Sequence, residues 1–129
     1  PVFNNGQMVR DFTYIDDIVE GVIRVLDKPA MPNANFDASL PDPATAAVPY
    51  RVFNIGNGNP TPLMDYIASL ETALGMEANK EFLPIQPGDV PATSADTREL
   101  SEWVGFQPNT PVTHGVAKFV EWYRDFYNV

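Results

Sequence analysis

The fold is decided by the stretch Arg10-Asp11-Phe12-Thr13-Tyr14-Ile15-Asp16-Asp17, in which a strand-like segment runs directly into the start of a helix. Most of the segment before the helix is apolar or aromatic, so Arg10 is expected near a buried edge. An arginine in that setting needs an anion, and its planar, bidentate fork suits a phosphate. The alternative is an ion pair between Arg10 and Asp11 or Asp17, and the spacing alone leaves both interpretations open.

The pattern around this stretch predicts a strand over residues 8–14 and then a helix. The helix is indicated by apolar residues at steps of three and four, which form one face, and Pro29 is expected to end it. Gly21 in its middle costs about 1 kcal/mol against alanine. The apolar face consists of Ile15, Ile18, Val19, Val22, Ile23 and Leu26.

The rest of the chain predicts further short elements. Val52–Ile55 and Glu81–Ile85 are typical of strands, the second at a sheet edge because of Pro84. Three more helices are expected to begin at Thr61-Pro62, Asp96-Thr97 and Thr110-Pro111, with Thr61 as a cap and a capping box at 96–99. This order indicates an α/β arrangement of a few short strands with four helices.

Residues 29–49 carry five of the thirteen prolines and no periodic pattern. Irregular connections longer than about 12–15 residues are often functional or mobile. The segment is interpreted either as a flap over a site or as disordered packing without a specific role.

Composition limits the function. At 129 residues the chain is one domain at most, and its net charge of −9 argues against nucleic-acid binding. The absence of cysteine excludes disulfides and thiolate chemistry and suits a cytoplasmic protein. No apolar run approaches the roughly 20 residues that a membrane span needs. The chain begins at Pro1, which we interpret as the downstream piece of a longer protein.

Two features suggest chemistry only weakly. The turn Gly56-Asn57-Gly58-Asn59 lies between a predicted strand and a predicted helix, but it lacks the third glycine of a dinucleotide fingerprint. A plain strand-to-helix turn is the better interpretation. His114 is the only histidine and has no partner in sequence for a metal site, so no metal is expected.

Three residues remain as candidates for ligand binding. Arg10 can supply a guanidinium for phosphate, and Asp89, on a tight Pro-Gly turn, can accept hydroxyl protons. Gln86 begins the same turn and offers both a donor and an acceptor. Loops of an α/β domain that carry these groups can hold a nucleotide sugar.

A family resemblance supports this choice. The stretch 10–21 resembles a segment of extended short-chain dehydrogenases/reductases that act on nucleotide sugars, and Tyr50–Asn57 resembles their recurring "YNIG" strand. Gln86-Pro87-Gly88-Asp89-Val90, residues 93–97 and the ending Phe119–Tyr127 are similar to bacterial UDP-glucuronate 4-epimerases. The similarity covers nearly the whole chain.

The resemblance implies roles for the three candidates. In that family the arginine at the Arg10 position reaches the diphosphate of UDP, and the aspartate at the Asp89 position lies beside the ribose and phosphates. UDP-galactose 4-epimerases carry an arginine where Gln86 stands, so the glutamine favours the glucuronate type. NAD would be bound by an N-terminal Rossmann domain that is missing here, and the main Rossmann sheet would be missing with it.

The resemblance also implies what residues 1–129 would be: the C-terminal nucleotide-sugar-binding portion of the enzyme. No Tyr-x-x-x-Lys occurs in the chain, so it is expected to contain no catalytic and no cofactor-binding residue and to be inactive alone. The alternatives are another UDP- or dTDP-sugar epimerase, dehydratase or decarboxylase, and a non-catalytic interaction module. The full-length protein is expected to be a homodimer, and the isolated piece to self-associate through exposed apolar surface.

Overall fold

Four helices dominate the secondary structure of the computed structural model, which describes residues 1–129. None of them combines the length and the apolar composition that crossing a bilayer requires. The helices are α1 (Ile15–Asp27), α2 (Leu63–Leu74), α3 (Arg98–Val104) and α4 (Val112–Tyr127).

The β-structure is smaller than the sequence predicts. The one ladder joins β1 (Val9–Arg10) to β2 (Thr61–Pro62) in antiparallel register, with Arg10 opposite Thr61. The predicted strand over 8–14 is therefore only two residues long. Isolated bridges add a parallel contact of Val2 with Phe82 and of Val9 with Ala92.

Two predicted strands do not form. Val52–Ile55 is not a strand, because no segment of the chain pairs with it beyond a bridge of Arg51 with Thr45. Glu81–Ile85 is reduced to the bridge at Phe82, although Leu83 N–H donates to the Val2 carbonyl at 2.9 Å. Each segment lacks the neighbouring strand that a ladder needs.

The helix ends follow the predicted signals more closely. Gly75 and Gly105 end α2 and α3 in the left-handed conformation, with φ of 70° and 64°. The predicted cap at Thr61 is wrong, because its hydroxyl donates to the Asn59 carbonyl and Pro62 precedes the first residue of α2. The predicted capping box at 96–99 does not form, because the N-cap residue of α3 is Thr97, without a side-chain cap, and the Asp96 carboxylate accepts the Arg98 N–H at 3.1 Å instead.

The core is small and lies where α4 packs on α2 and where α3 meets the rest of the chain. Only 12 of 129 residues are buried, so most apolar side chains have no complete cover. The junction of β1 and α1 is held to α2 by Phe12, whose ring stacks on Tyr66 with centroids 4.2 Å apart. The buried apolar residues are Val2, Met8, Leu100, Val116 and Val120.

The apolar face of α1 is largely unpartnered. Gly21 is buried and its α-carbon faces Ile55, but most of the large residues along the helix are open to solvent. Val19 and Ile23 are 48% and 47% exposed, and Leu26 is 76% exposed. The predicted helical face is therefore present, but within this chain most of it is left uncovered.

The proline-rich segment 29–49 forms no helix or strand, as its composition predicts. It is held by its own hydrogen bonds, among them Asn33 N–H to the Ala46 carbonyl at 2.8 Å. The Asn33 side-chain amide also donates to the buried Thr45 hydroxyl at 3.1 Å. Whether the segment acts as a flap stays a prediction.

Candidate functional site

Arg10 and Asp89 form an ion pair at one edge of the molecule. The Arg10 Nη2 donates to Asp89 Oδ1 at 2.7 Å, and the two side chains are 24% and 33% exposed. The expected alternative partners of Arg10 were Asp11 and Asp17, and both of these are engaged elsewhere. The structure thus brings two of the three predicted site residues into contact.

Backbone carbonyls hold the Arg10 guanidinium in place. Its Nη1 donates to the carbonyl oxygens of Val9 at 2.9 Å and Pro91 at 3.3 Å. A guanidinium has five N–H donors, and these bonds together with Asp89 use three of them. The Nε–H and one Nη2 proton have no partner in the chain, so the group is both anchored and able to bind a further anion.

Asp89 closes the tight turn that the sequence predicts at 86–89. Its backbone N–H donates to the Gln86 carbonyl at 3.1 Å, and Gly88 has a φ of +85°, which favours glycine. The Asp89 carboxylate also accepts the Val90 N–H at 2.8 Å. Gln86 is exposed at the start of the same turn, and its side chain makes no hydrogen bond within the chain.

A parallel run of backbone bonds positions this turn against β1. The Val9 N–H donates to the Pro91 carbonyl at 2.9 Å, and the Thr93 N–H donates to the Val9 carbonyl at 3.1 Å. The segment 91–93 therefore lies beside residue 9, immediately next to Arg10. This pairing brings residues 10 and 89 together across 79 positions of sequence.

N–H groups of the Gly56–Asn59 turn bind side chains of the same chain, which agrees with the preferred interpretation of a plain connecting turn. The Asn57 N–H donates to the Thr13 hydroxyl at 3.2 Å, and the Gly58 N–H donates to Asp11 Oδ2 at 3.1 Å. A dinucleotide loop must present such N–H groups to phosphate, and here side chains of the same chain accept them. The turn therefore does not fit the phosphates of NAD.

Two open cavities lie away from the Arg10–Asp89 pair. The first, of about 490 Å³, is mostly apolar and lies between the start of α1 and α4, where Tyr14, Phe119 and Trp122 line it. The second, of about 540 Å³, is polar and lies at the start of α3 beside Asp96 and Arg98. Neither includes a predicted site residue. No cluster of three His, Cys, Asp or Glu side chains is suited to a metal ion.

At the polar cavity, the pKa of Asp96 depends mainly on its neighbour Arg98. Hydrogen bonds from the Arg98 side chain and backbone lower the pKa of Asp96 from 3.8 to about 2. Asp96 is thereby kept ionised just before the N-terminus of α3, where its charge suits the helix dipole. His114 is exposed on α4 and meets the edge of the Tyr14 ring, with centroids 6.2 Å apart.

Comparison with known proteins agrees with the fold. Residues 1–56 match the model of the NAD dependent epimerase/dehydratase family. An uncharacterized 37.6 kDa protein of Escherichia coli O111:H- is 56% identical over 99% of this chain. A probable UDP-glucuronate 4-epimerase of Rhizobium meliloti is 41% identical over 98% of it. The chain spans only 38% and 37% of the length of these two relatives.

A solved structure of a UDP-glucuronic acid 4-epimerase has a similar fold over nearly the whole chain. The UDP-glucuronic acid 4-epimerase from Bacillus cereus, in complex with UDP-glucuronic acid and NAD, superposes with a TM-score of 0.73 at 27% identity. The match covers 97% of this chain and 35% of that protein. The fold is that of the C-terminal part of an extended short-chain dehydrogenase/reductase, as predicted. The resemblance to UDP-glucuronate 4-epimerases is confirmed.

Proposed function

We propose that residues 1–129 form the UDP-sugar-binding part of an NAD-dependent nucleotide-sugar epimerase that interconverts UDP-glucuronate and UDP-galacturonate. The observation that carries this proposal is the Arg10 guanidinium. It is anchored on two carbonyls and Asp89 and keeps two donors free. Free N–H donors on a planar guanidinium suit the oxygens of a diphosphate.

Each candidate has a distinct part in this proposal. Arg10 binds the diphosphate through its Nε–H and Nη2–H. Asp89, at the end of the adjacent turn, accepts protons from the ribose hydroxyls. Gln86, exposed and unbonded at the start of the turn, faces the ligand without adding charge. The three together define one edge of a pocket, and the rest of the pocket lies outside these residues.

The chemistry is assigned to another part of the full-length protein. NAD would be the hydride carrier there, and no residue of this chain is assigned to it. The relatives are more than twice as long as this chain, which leaves room for an N-terminal Rossmann domain with the catalytic tyrosine and lysine. We propose that the 129 residues alone are inactive and that the complete protein is a cytoplasmic homodimer.

The direct test is epimerisation by the full-length protein. UDP-glucuronate and NAD are incubated with it, and the appearance of UDP-galacturonate is followed by NMR or chromatography. UDP-glucose and dTDP-glucose serve as alternative substrates for the related epimerase and dehydratase activities, and release of CO₂ from UDP-glucuronate would reveal a decarboxylase. A protein that binds UDP but converts none of these sugars would instead be a binding module derived from such enzymes.

A further inference from the structure

Asp11 lies directly after Arg10 and connects three parts of the chain. Its Oδ2 accepts the backbone N–H of Gly58 at 3.1 Å and that of Ala95 at 3.2 Å. Neither bond is local, since Gly58 is 47 residues away and Ala95 is 84 residues away. A single carboxylate oxygen thus joins the β1–α1 junction, the Gly56–Asn59 turn and the segment that follows Asp89.

The packing around Asp11 leaves little freedom. A side-chain carbon at Gly56 would lie 2.5 Å from the Ala95 Cβ and 3.0 Å from Asp11 Oδ2, so only glycine fits there. The other carboxylate oxygen, Oδ1, is buried without a hydrogen-bond partner. A buried acceptor without a partner costs free energy, and the two bonds at Oδ2 offset that cost because they are charge-assisted.

The Ala95 bond fixes the far end of the segment that carries Asp89. Backbone hydrogen bonds to Val9 already fix this segment at Pro91 and Thr93. The bond from the Ala95 N–H to Asp11 fixes it again two residues further along. The Pro91 carbonyl, which accepts a hydrogen bond from the Arg10 guanidinium, belongs to the same segment. A shift of residues 89–95 would therefore move both the Asp89 carboxylate and one acceptor that orients Arg10.

We propose that Asp11 is a positioning residue for the UDP-binding pair: its carboxylate sets the place of the 89–95 segment and so the geometry of Arg10 and Asp89. Asp11 does not itself contact the ligand. This inference rests on the proposed function, because it assigns a role to Asp11 within the same site.

Asp17 provides a matched control. It too is an aspartate that accepts two backbone N–H groups, from Asn109 at 3.2 Å and Thr110 at 2.9 Å, and it adds the Thr110 hydroxyl at 2.9 Å. These bonds join α1 to the start of α4, away from the Arg10–Asp89 pair. Removing either carboxylate costs comparable hydrogen bonds, but only Asp11 is connected to the segment of Asp89.

The experiment is UDP titration calorimetry on the full-length protein, with unfolding temperatures measured in parallel. Asp11→Ala should weaken UDP binding about tenfold, a typical coupling within one hydrogen-bond network. Asp17→Ala should lower the unfolding temperature but change the UDP Kd less than about twofold. Where Asp11→Ala does not fold, Asp11→Asn is the milder variant, since its amide oxygen can keep the two bonds without the charge.

Combination with Arg10→Ala separates positioning from general destabilisation. If Asp11 acts through the pair, Asp11→Ala should cause a smaller loss of UDP affinity in the Arg10→Ala background than in wild type, because only Asp89 is then left to be displaced. Additive losses, equal losses for the two aspartates, or an unchanged Kd in Asp11→Ala would each overturn the inference alone. A wild-type protein that does not bind UDP would overturn the proposed function, and this inference with it.

Discussion

The Arg10 guanidinium and the Asp89 carboxylate lie 2.7 Å apart although 79 positions separate them in sequence. Each group thereby has a partner within the chain, and neither is left as an isolated charge at a half-exposed site. Because both remain partly accessible, a diphosphate and a ribose can reach them without unfolding of the surrounding segments.

Removal of the arginine should weaken ligand binding. Arg10→Ala in the full-length protein should cost about 1.5–3 kcal/mol of UDP binding, the range for a hydrogen bond to a charged group. Titration calorimetry with UDP measures it. Arg98→Ala is the control, since it removes the same charge from an exposed pair at the start of α3. An unchanged Kd in Arg10→Ala would exclude Arg10 from the site.

The aspartate of the pair should act on a different part of the ligand. Asp89→Ala should weaken UDP binding by about 1.5–3 kcal/mol through lost bonds to the ribose. Inorganic pyrophosphate has no ribose, so its affinity should be unchanged or rise as Arg10 loses its internal partner. Titrations with both ligands make the comparison. Equal losses for UDP and pyrophosphate would contradict a ribose contact of Asp89.

The 129-residue chain by itself should self-associate through α1. Sedimentation velocity should show oligomers whose proportion rises with concentration, because the apolar face of α1 is open to solvent. Val22→Lys places a charge on that face and should reduce association. Val48→Lys makes the same charge change at an exposed residue of the 29–49 segment and should not. A monomer at high concentration would count against this prediction.

Two glycines should respond to alanine in opposite directions. Gly56→Ala should destabilise the chain by about 1–3 kcal/mol, the usual cost of overpacking, because its Cβ would meet Ala95 at 2.5 Å. Gly21→Ala should stabilise it by up to about 1 kcal/mol, since Gly21 lies within α1 and its Cβ would be in ordinary contact with Ile55 at 3.4 Å. Thermal unfolding of both variants tests the sign, and a destabilised Gly21→Ala would show that the helix needs glycine there.

The Asp96 carboxyl should titrate well below its usual range. Its folded pKa of about 2 is lower than its unfolded value near 3.8, so its contribution to stability is present above pH about 4 and is lost as the pH falls towards 2. NMR titration of Asp96 measures the value. Arg98→Ala should raise the pKa towards 3.8, whereas Lys118→Ala, on α4, should leave it at about 2. Identical titrations in wild type and Arg98→Ala would refute the proposed cause.

The sequence predicts the helices better than the strands, and the reason is physical. Helix formation depends on neighbours within a few residues, so the periodicity of α1 and the glycines at 75 and 105 are sufficient signals. Strands need a partner from elsewhere in the chain, and Val52–Ile55 finds only a single bridge at its edge. Strand propensity alone therefore overestimates the β-structure.

The geometry of the candidate site also depends on distant pairing that the sequence does not predict. The chemistry of Arg10 and the turn at Asp89 can be predicted from residue types, but their contact depends on the parallel pairing of residues 9 and 92. The sequence suggests Asp11 and Asp17 as alternative partners of Arg10, and both accept hydrogen bonds from other groups. The sequence alone suggests Asp11 only as such a partner. Its position between a strand and a helix was a signal for a structural carboxylate.

The hydrogen bonds between the end of α1 and α3 make one tryptophan a fluorescent reporter of their contact. The Lys28 ammonium donates a hydrogen bond to the Trp103 carbonyl, and the Trp103 indole N–H donates one to the Lys28 carbonyl at 3.1 Å. The other tryptophan, Trp122, lies 52% exposed on α4 beside the apolar cavity. The two indoles are thus fluorophores in contrasting surroundings. Trp122→Phe would leave the emission of Trp103, which responds to the contact of α1 with α3 and to its neighbours Arg51 and Phe53. Trp103→Phe would leave the emission of Trp122 beside the apolar cavity.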